Sequence, residues 1–422
     1  MQLSISQINQ IKSHCLHLAQ QHVEVMLFDN HFSANTFELH QVEFMAAFGM
    51  EASLVTDVDA FSELDLFLKK HHNKYVFCAL SYDLKNELEA LTSTHENPIQ
   101  FPKLIAFVPK QLIVIDAKGN CTQGLDLVLQ CLDQPQKFQP QILPAVVPQP
   151  KVSKYNYLKN VEAIRQHILE GDVYELNYCT EFFANSISIH PYTLYQKLME
   201  VSPVPFGAFF KWGDKYLICA SPERFLCGMN GKIYSQPIKG TTPRKANVAD
   251  DELQKLHLLN SEKEKAENLM IVDLVRNDLA RTALTGTVKV EELFGIYSFK
   301  QVHQMISTVS SNPKKDVPIT EVIKCAFPMG SMTGAPKIMA MELIEQYEET
   351  CRGLYSGSVG YFAPDGTFDL NVVIRSIQYN ATNQYLNFEV GGAITFDSVP
   401  EEEYNECLLK AKAMMQVLGN KP

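Results

Sequence analysis

Two predicted helices carry glutamates at a spacing that suits the binding of a divalent cation. Glu264 and Glu267 lie three residues apart near the start of one helix, and Glu403 and Glu406 have the same spacing in the other. Side chains three residues apart share one helix face. The alternative for each helix taken alone is a solvated first turn that favours the helix dipole. If the two helices meet, the four carboxylates form a set of oxygen ligands that suits Mg²⁺.

A lysine in a short segment bounded by prolines is a candidate nucleophile. Lys239 lies in the run PIKGTTPR, which follows a strand-like segment and is predicted to form a stiff loop. Gly240 in this loop permits an unusual backbone angle or the close approach of a ligand. Desolvation would lower the pKa of such a lysine and leave its amine free to attack. A lysine considered alone is more often exposed on the surface.

A glutamate and an arginine are candidates for acid catalysis and anion binding. Glu223 follows a strand and a proline turn, sixteen residues before Lys239, and could act as a general acid if burial raises its pKa. An ion pair with Arg224 or with another cation is the alternative. Arg375 is predicted to project from one side of a strand over 369–377, where arginine often pairs with a carboxylate of the protein or of a ligand.

The elements that must position these residues follow from apolar periodicity and turn residues. Helices are predicted from Ser153 to a glycine cap at Gly171, from Ser261 to Leu279, and from Ser398 onward. Each of the last two is predicted to begin with a capping box formed with the glutamate three residues later. Strands are predicted at Val23–Phe28, Tyr75–Leu80, Leu104–Val108, Val173–Phe183, Ala208–Lys211, Tyr216–Ala220 and Lys232–Gln236. Short strands broken by long helices predict an α+β fold with antiparallel sheets.

A proline-rich stretch is the clearest candidate for a domain boundary. Five prolines lie between positions 134 and 150, where they disfavour helix and central strand. We predict a connector over 134–152 between an N-terminal α+β region, 1–133, without a recognisable chemical motif, and a second domain, 153–422, which carries the candidate residues. A surface loop within one domain has the same composition and remains the alternative.

Composition and charge restrict the class of protein. The chain has 46% hydrophobic and 20% charged residues, which is typical of a globular protein. Its net charge of −11 disfavours nucleic acid and anionic membranes as partners, because its field repels phosphate. Ten cysteines occur without a C-x-x-C pair, as expected of reduced intracellular thiols, and neither a secretory signal nor a membrane-spanning run is found. A cytoplasmic protein is therefore predicted.

Eight runs of sequence, taken in order, resemble the chorismate-binding enzymes. They are GDVYELN, SPERF, PIKGTTPR, AENLMIVDLVRNDL, GSMTGAPK, RGLYSGSVGYF, NVVIRS and GGAITFDSVPEEEYNECLLKA. This family includes anthranilate synthase component I, aminodeoxychorismate synthase component I, isochorismate synthase and salicylate synthase. The resemblance extends from Tyr155 to the end of the chain and implies that 153–422 is the catalytic domain. It also implies the anthranilate synthase component I-like fold, in which antiparallel β-sheets pack together and are flanked by helices.

The resemblance implies a role for each candidate residue. Glu267, Glu403 and Glu406 would bind Mg²⁺ with support from Glu264, and the metal would hold the ring carboxylate of chorismate. Glu223 would protonate the departing C4 hydroxyl. The residues implied to contact the substrate are Arg375 and Tyr355 at the enolpyruvyl carboxylate, Lys410 with Gly391 and Gly392 near the ring carboxylate, and Thr241 and Thr333.

Lys239 distinguishes between the members of the family. Enzymes that resemble anthranilate, isochorismate and salicylate synthases usually have a small residue there, whereas a lysine is typical of aminodeoxychorismate synthases. The lysine is taken to add to C2 while the C4 hydroxyl leaves, so that ammonia can enter at C4 and expel the lysine. The predicted reaction converts chorismate and ammonia to 4-amino-4-deoxychorismate, which leads to p-aminobenzoate and folate. Anthranilate synthase component I and a non-catalytic chorismate-binding subunit remain the alternatives.

Three positions depart from the family pattern. Glu175 stands where glutamine, or the water-activating lysine of the isochorismate and salicylate enzymes, is expected. A glutamate at its usual pKa is a poor base for water, which disfavours water as the nucleophile. Gln304 takes the place of a histidine, with His303 one position earlier, so neither is assigned that histidine's role. Thr242 replaces an arginine, which predicts that an ion pair of the loop is absent.

The source of ammonia is predicted to lie outside the chain. The run GNCTQG around Cys121 superficially resembles a nucleophile elbow, but it lacks the second glycine and no His-x-Glu partner follows. A nucleophilic cysteine needs an activating base, so Cys121 is not assigned a catalytic role. The resemblance implies a separate glutamine amidotransferase subunit, or the use of free ammonia.

Overall fold

The computed structural model describes residues 1–31, 39, 41–300 and 302–419. Within these residues the chain forms nineteen strands, and every pairing between them is antiparallel. The strands are β1 (Glu24–Asp29), β2 (Val42–Thr56), β3 (Val76–Leu80), β4 (Leu104–Asp116), β5 (Cys121–Gln123), β6 (Gln149–Pro150), β7 (Glu175–Ala184), β8 (Phe206–Trp212), β9 (Lys215–Ser221), β10 (Arg224–Met229), β11 (Lys232–Gln236), β12 (Ile238–Pro243), β13 (Lys289–Ser298), β14 (Val302–Ser311), β15 (Gly334–Ala335), β16 (Ser358–Phe362), β17 (Phe368–Asn371), β18 (Ser376–Asn380) and β19 (Tyr385–Ile394).

Eleven α-helices and two short 3₁₀ helices complete the described part of the chain. The α-helices are α1 (Ile5–Ala19), α2 (Ala60–Lys70), α3 (Lys85–Leu88), α4 (Leu125–Asp133), α5 (Lys154–Glu170), α6 (Pro191–Val201), α7 (Val248–Asn260), α8 (Glu262–Ala280), α9 (Ile319–Ala326), α10 (Lys337–Tyr347) and α11 (Pro400–Val417). The 3₁₀ helices are Tyr82–Leu84 and Gly330–Met332. None of the helices in the described ranges combines the length and the apolar character that a membrane span requires.

The strands form one hydrogen-bonded network with two halves. In the first half the neighbours run β2, β1, β8, β9, β18, β19 and β7, and both β6 and β15 pair with β7. In the second half they run β4, β3, β16, β17, β10, β11 and β14, and both β12 and β13 pair with β14. The long strands β2 and β4 pair with each other and so join the two halves.

Alternate residues of the strands face two different apolar cores, as the geometry of a pleated strand requires. In β1 and β8, Leu27 and Phe209 pack in a core together with α1, α4, α5, α6 and α11. Their neighbours Phe28 and Phe210 pack in an aromatic core that strands of both halves share. A third core lies between the second half and the helices α2, α8 and α9. Antiparallel sheets thus pack together with helices outside them, and the predicted α+β class is confirmed.

Local signals placed the boundaries of several elements correctly. Ser153 caps α5 by accepting a hydrogen bond from the N–H of Asn156, and Gly171 ends it with a φ of +87°. The predicted strand Lys232–Gln236 is confirmed at both ends. The strand that begins at Leu104 continues to Asp116, because its second part pairs with β2.

The two predicted capping boxes are wrong in different ways. The Ser261 hydroxyl accepts a bond from the N–H of Glu264, but the N–H of Ser261 donates to Leu258 rather than to the glutamate. Ser398 does not cap α11, since Val399 is the N-cap residue and makes no side-chain cap. The hydroxyl of Ser398 donates instead to Glu403 at 2.7 Å. A side chain predicted to stabilise the helix end therefore holds one of the candidate metal ligands.

The proline-rich stretch has no regular structure from 135 to 148 and then contributes β6, which pairs with β7. Strands from before and after this stretch pair directly, β1 with β8 and β3 with β16. The division into 1–133, 134–152 and 153–422 stays a prediction, as does the cytoplasmic location.

Candidate active site

Lys239 lies in a strand rather than in the predicted loop. It belongs to β12, which pairs with β14 through Ile238 and Thr241, and the register shifts between these two residues. Gly240 in the irregular part has a φ of +92°, a conformation that favours glycine. The prediction of a loop is wrong because the prolines end the strand without preventing its pairing. The side chain of Lys239 is only 11% exposed, so the alternative of a surface lysine is also wrong.

The ammonium group of Lys239 contacts a buried carboxylate. Its Nζ lies 3.2 Å from Oε1 of Glu175, a residue whose side chain is completely inaccessible to solvent. Glu175 begins β7 and pairs in register with Ala335 of β15. Apart from this ion pair, neither carboxylate oxygen has a hydrogen-bond partner in the described part of the chain. One departure from the family pattern is therefore the direct neighbour of the candidate nucleophile.

Glu223 has the environment of an acid that is protonated near neutral pH. It lies between β9 and β10, is 5% exposed, and accepts a 2.7 Å hydrogen bond from the hydroxyl of Ser331. Burial raises the pKa of Glu223 to about 7, although Ser331, Lys239, the backbone of Ile238 and Arg375 oppose the rise. A carboxyl group with this pKa can donate a proton at physiological pH.

The neighbouring arginine has a different partner. Arg224 is almost completely buried and binds Asp369 of β17 through two hydrogen bonds of 2.8 Å. The alternative in which Arg224 neutralises Glu223 is therefore wrong. This pair joins β10 to β17.

Arg375 is an interior cation without an ion-pair partner among the described residues. It lies in the break between β17 and β18 and has a φ of +49°. The prediction of one strand over 369–377 is wrong, because the chain leaves β17 after Asn371 and resumes pairing at Ser376. Burial lowers the pKa of Arg375, with an opposing effect of Glu223. A guanidinium in this state suits a carboxylate supplied by a ligand.

The carboxylates of α8 lie close to Lys239 and to α11. Burial raises the pKa of Glu264, and the charge of Glu406 on α11 adds to the rise. Burial also raises the pKa of Glu267 to about 7, with Lys239 opposing the rise and Glu264 and Glu175 increasing it. The two helix faces predicted from the spacing are therefore within electrostatic range of each other.

The carboxylates of α11 are held in place by neighbours of their own. Burial raises the pKa of Glu403, whose Oε1 accepts the hydrogen bond from Ser398. Glu406 pairs with Lys410 at 2.7 Å, and this cation lowers the pKa of Glu406. The ammonium of Lys410 also donates to the carbonyl of Gly391 at 2.7 Å. A Cβ added at Gly392 would lie 3.3 Å from Glu403 and 3.8 Å from Glu406, so this glycine borders the carboxylates directly.

The donor set of the two helices fits a hard divalent cation. Four glutamates supply only oxygen ligands. Burial raises the pKa of three of them, Glu264, Glu267 and Glu403, and neighbouring glutamates add to the rise. We also searched the described part of the chain for three or more His, Cys, Asp or Glu side chains whose potential metal-ligand atoms lie within 4.8 Å of one another. The group that meets this distance is a different one, His167, Glu170 and Asp172. Among the described residues, no three of the four glutamates bring their oxygens within this distance of one another.

The histidine group is a poor site for a metal. Nδ1 of His167 lies 2.7 Å from Asp172, and its Nε2 lies 3.0 Å from the hydroxyl of Tyr347. Both ring nitrogens are therefore already used in hydrogen bonds. A ligating histidine must offer one nitrogen to the metal.

Three predicted substrate contacts differ in what they can offer. Tyr355 is buried, and its hydroxyl lies 3.6 Å from Sγ of Cys179. The hydroxyl of Thr333 donates to the carbonyl of Met329 at 3.1 Å, so it is engaged with the protein itself. Thr241 is exposed, and its backbone pairs with that of Gln304 in β14.

His303 in β14 and Thr242 in β12 both contact side chains of α7. His303 is fully buried, with Nδ1 2.8 Å from Ser298 and Nε2 3.0 Å from Asp251. Asp251 also pairs with Arg244, so an ion pair next to the loop is present. This pair does not involve position 242, so the missing ion pair at that position stays a prediction. Thr242 instead donates to the side chain of Gln254, in α7, at 2.7 Å.

Gln304 has a buried side-chain oxygen without a hydrogen-bond partner among the described residues. Cys121 is partly exposed, and its Sγ lies 3.2 Å from the carbonyl of Gln123. Burial raises the pKa of this thiol, which disfavours the reactive thiolate. The structure therefore gives no base to activate Cys121 within the described residues.

The sequence did not predict the structural role of Arg352, a buried arginine that binds backbone carbonyls next to the site. Arg352 is buried, binds Glu348 through bonds of 2.9 and 2.6 Å, and donates to the carbonyls of Met332 and Asn177. It thereby connects the turn that carries Ser331 to β7. The signal was the pair of opposite charges four residues apart, which is a common spacing of helix ion pairs.

Comparison with known proteins identifies the family of this chain. A family model described as chorismate binding enzyme matches residues 25–416. Aminodeoxychorismate synthase component 1 of Escherichia coli is 32% identical over 343 residues, which are 80% of this chain and 75% of that protein. The probable chloroplastic aminodeoxychorismate synthase of Oryza sativa subsp. japonica is 43% identical over 269 residues, which are 63% of this chain and 30% of that protein. The chain thus spans about a third of the length of this plant relative.

A solved structure supports the same assignment. Anthranilate synthase component I from Streptococcus pneumoniae superposes with a TM-score of 0.79 at 26% identity, covering 91% of this chain and 94% of that chain. The predicted anthranilate synthase component I-like fold is therefore confirmed. Since the family model spans most of the chain and the bacterial relative is matched over 75% of its length, the chain belongs to the chorismate-binding enzyme family.

Proposed function

We propose that the chain aminates chorismate at C4 and so acts as an aminodeoxychorismate synthase component I. The observation that carries the proposal is Lys239, which is nearly buried beside Glu175 and interacts electrostatically with Glu223. A small residue is expected here in family members that use another nucleophile. Relatives named aminodeoxychorismate synthase, at 32% and 43% identity, support the same choice.

The proposed reaction has two displacements on the same ring. Lys239 adds to C2 while the ring double bonds shift and the C4 hydroxyl departs. Glu223, with a pKa of about 7, donates the proton that turns the hydroxyl into water. Ammonia then adds at C4, the double bonds shift back, and Lys239 leaves C2. Two allylic steps replace one difficult substitution, which is the benefit of covalent catalysis.

The cations of the site would neutralise the two carboxylates of chorismate. The net charge of −11 opposes an anionic substrate, so local positive charge has to overcome it. We assign the enolpyruvyl carboxylate to Arg375 and Tyr355, because the guanidinium of Arg375 has no carboxylate partner within the described residues. We assign the ring carboxylate to the surroundings of Lys410, Gly391 and Gly392. Thr241 remains a proposed substrate contact, and Thr333 is proposed to hold the turn with its hydroxyl.

Glu267, Glu403 and Glu406 are proposed to hold Mg²⁺, with Glu264 beside them. When bound, the ion supplies positive charge that attracts and orients a substrate carboxylate. Burial raises the pKa values of Glu264, Glu267 and Glu403, so a bound cation would offset the cost of their charges, which supports this assignment. Lys410 keeps Glu406 ionised before any metal is bound.

Ammonia is proposed to come from a glutamine amidotransferase partner. The relative from Escherichia coli is named component 1, and this name implies a second component in that enzyme. Among the described residues, no cysteine forms a hydrogen bond with a histidine side chain, which could serve as the activating base of a glutaminase nucleophile. Free ammonia should replace the partner in the test tube.

The test is to identify the product. We expect the purified chain with chorismate, Mg²⁺ and an ammonium salt to form 4-amino-4-deoxychorismate, identified by liquid chromatography and mass spectrometry. Anthranilate together with pyruvate would contradict the proposal and favour anthranilate synthase component I. Tight binding of chorismate without turnover would favour the non-catalytic subunit.

A covalent adduct is the second readout. Intact-protein mass spectra should show a chorismate-dependent adduct that Lys239→Ala removes. Lys69→Ala in α2 is the matched control, since this lysine is 66% exposed and pairs with Asp65 on the same helix. An adduct that survives in Lys239→Ala would point to another nucleophile.

A further inference from the structure

Glu175 is the carboxylate nearest to the nitrogen that reacts in the proposed function. Its Oε1 lies 3.2 Å from Nζ of Lys239, and no other carboxylate of the described residues is within ion-pair distance of that nitrogen. Its position is fixed by the backbone, because β7 pairs with β15 at Glu175 and the N–H of Asn177 donates to Thr333. A fully buried carboxylate in this position needs a role that the two proposed displacements do not yet give it.

Lys239 has to lose a proton before it can attack. Burial disfavours the charge on Lys239, but Glu175, Glu267 and Glu223 outweigh burial and raise the pKa of the lysine. The resting side chain is therefore an ammonium, which has no lone pair to form a bond. An acceptor for its proton must lie within hydrogen-bond reach.

Carboxylates approach Lys239 from four parts of the fold. They are Glu175 from β7, Glu223 from the β9–β10 connection, Glu264 and Glu267 from α8, and Glu406 from α11. Glu223 has to donate a proton in the first displacement, so it cannot also accept the proton of Lys239 in that step. The carboxylates of α8 and α11 are the proposed metal ligands, and a bound cation disfavours their protonation. Among these five carboxylates, Glu175 is the one that has no other assigned role and can therefore accept the proton.

We infer that Glu175 is a further catalytic residue, which accepts a proton from Lys239 as the amine attacks and returns it when the amine leaves. The inference rests on the proposed amination. In the first displacement, Nζ gives a proton to Glu175, its lone pair forms the bond to C2, and the C4–O bond breaks with a proton from Glu223. Water leaves, and the nitrogen bound to C2 carries the positive charge.

The second displacement restores both acids. The lone pair of ammonia forms the C4–N bond, the C2–N bond breaks, and its electron pair returns to Lys239. Glu175 then gives its proton back to the amine, and the ammonium formed at C4 reprotonates Glu223. The net change is chorismate plus ammonia to 4-amino-4-deoxychorismate plus water, with the site unchanged.

The burial of the pair makes this transfer favourable relative to loss of the proton to solvent. Transfer from Lys239 to Glu175 cancels two opposite charges at once. Loss of the proton to solvent would leave a buried carboxylate without its counter-ion, which is costly. The second oxygen of Glu175 has no hydrogen-bond partner within the described residues, so no other donor competes with Lys239 for this carboxylate.

The test compares adduct formation in the wild type and in Glu175→Gln. Glutamine has nearly the same shape but cannot take up the proton. At pH 7 we expect the variant to form the Lys239 adduct about 10²–10⁴-fold more slowly, the usual contribution of a general base. Its rate relative to the wild type should rise tenfold per pH unit, because the lysine must then lose its proton to solvent. Division of the variant rate by the wild-type rate at each pH removes the pH dependence that the protonation of Glu223 gives to both proteins.

A role of Glu175 as a mere counter-ion gives the opposite result. Removal of the negative charge would lower the pKa of Lys239 and so speed the attack at neutral pH. An adduct rate in Glu175→Gln within tenfold of the wild type, or a rate ratio that does not change with pH, would overturn the inference. Glu175→Asp keeps a carboxylate and should retain the pH profile of the wild type with a smaller loss, which covers the case in which glutamine prevents folding.

Failure of the proposed function would be distinct from failure of this inference. If the wild type forms neither an adduct nor 4-amino-4-deoxychorismate, the amination itself is wrong. If the wild type forms both and Glu175→Gln forms the adduct equally fast, only the role of Glu175 is wrong.

Discussion

The hydroxyl of Ser331 donates a 2.7 Å hydrogen bond to Oε1 of Glu223, and both side chains are buried. Ser331 lies in the 3₁₀ helix Gly330–Met332, far from Glu223 in sequence. The bond favours the ionised carboxylate and so limits the rise of the Glu223 pKa that burial causes. The turn after α9 therefore adjusts the acidity of the candidate proton donor.

Removal of this bond should shift the pH range of activity. In Ser331→Ala the pKa of Glu223 should rise above about 7, so the acid would keep its proton to higher pH. The alkaline limb of the rate of adduct formation, measured from pH 6 to 9, should therefore move upward. Ser331→Thr keeps a hydroxyl and should leave the limb in place. A limb that moves to lower pH in the alanine variant would mean that Glu223 is not the group that titrates.

Replacement of Glu223 should reveal a stability effect that depends on pH. Its folded pKa of about 7 lies above the ordinary value of 4.5, so its contribution to stability is present below pH 4.5 and is lost as the pH rises through 7. Glu223→Gln cannot ionise and should be more stable than the wild type by on the order of 3 kcal/mol at pH 8, with little difference at pH 4.5. Urea unfolding of both proteins without metal at the two pH values measures this. Equal differences at both pH values would contradict the buried, protonated state.

Protons should compete with Mg²⁺ for the glutamates of α8. Glu267 has a pKa of about 7 without metal, so it is mostly protonated at pH 6 and mostly ionised at pH 8. The apparent affinity for Mg²⁺ should be about tenfold higher at pH 8 than at pH 6, because the ligand must lose its proton. Calorimetric titration in buffers of different ionisation enthalpy would also show the released proton. In Glu267→Gln the affinity should be lower and should depend much less on pH.

Signals within a few residues predicted the local structure well. The serine and glycine at the ends of α5 act on the helix that they flank, so Ser153 and Gly171 could be identified from the sequence. Ser398 shows the limit of such signals, since a tertiary contact with Glu403 takes the hydroxyl that would have capped the helix. A capping pattern in the sequence predicts a hydrogen bond between a side chain and the helix end, but this bond forms only if no tertiary contact takes the same hydroxyl.

The chemical neighbours of the candidate residues could not be predicted in the same way. The contact between Lys239 and Glu175 depends on the register of β12 with β14 and of β7 with β15. Apolar periodicity does not specify which strands pair, nor does it show the register shift between Ile238 and Thr241 around the lysine. The break between β17 and β18 could not be predicted either. The positive φ of Arg375 interrupts the strand without changing the alternation of apolar and polar residues in the sequence.

Loss of the buried arginine should destabilise the whole molecule. Arg352→Ala leaves Glu348 buried without its cation, and such a change costs about 3–5 kcal/mol. Arg352→Lys should recover part of this, since one ammonium cannot replace the fork of donors that binds Glu348 and two carbonyls. The free energy of unfolding from urea titration is the measurement. Arg276→Ala, at a pair with both side chains more than half exposed, is the control and should change stability by less than about 1 kcal/mol.

Gly240 and Gly171 form a matched pair that separates backbone strain from crowding of the site. Both have a similar φ, +92° and +87°, so alanine at either position should cost about 1–2 kcal/mol of stability. A Cβ at Gly171 meets nothing within 4 Å, whereas one at Gly240 lies 3.0 Å from Oε2 of Glu264 and 3.1 Å from Leu258. Gly240→Ala must therefore displace Glu264 or β12 by a few tenths of an ångström, next to the proposed metal ligands and to Lys239.

The two alanine variants should consequently have similar stability and different activity. We expect Gly240→Ala to lower the rate of adduct formation at saturating Mg²⁺ by about tenfold to a hundredfold, since small misplacement of reacting groups is costly. Gly171→Ala at the end of α5 should retain the wild-type rate. Unfolding free energies measured beside the rates show whether strain alone accounts for the loss. Equal activity of the two variants would mean that the crowding between Gly240 and Glu264 has no part in catalysis.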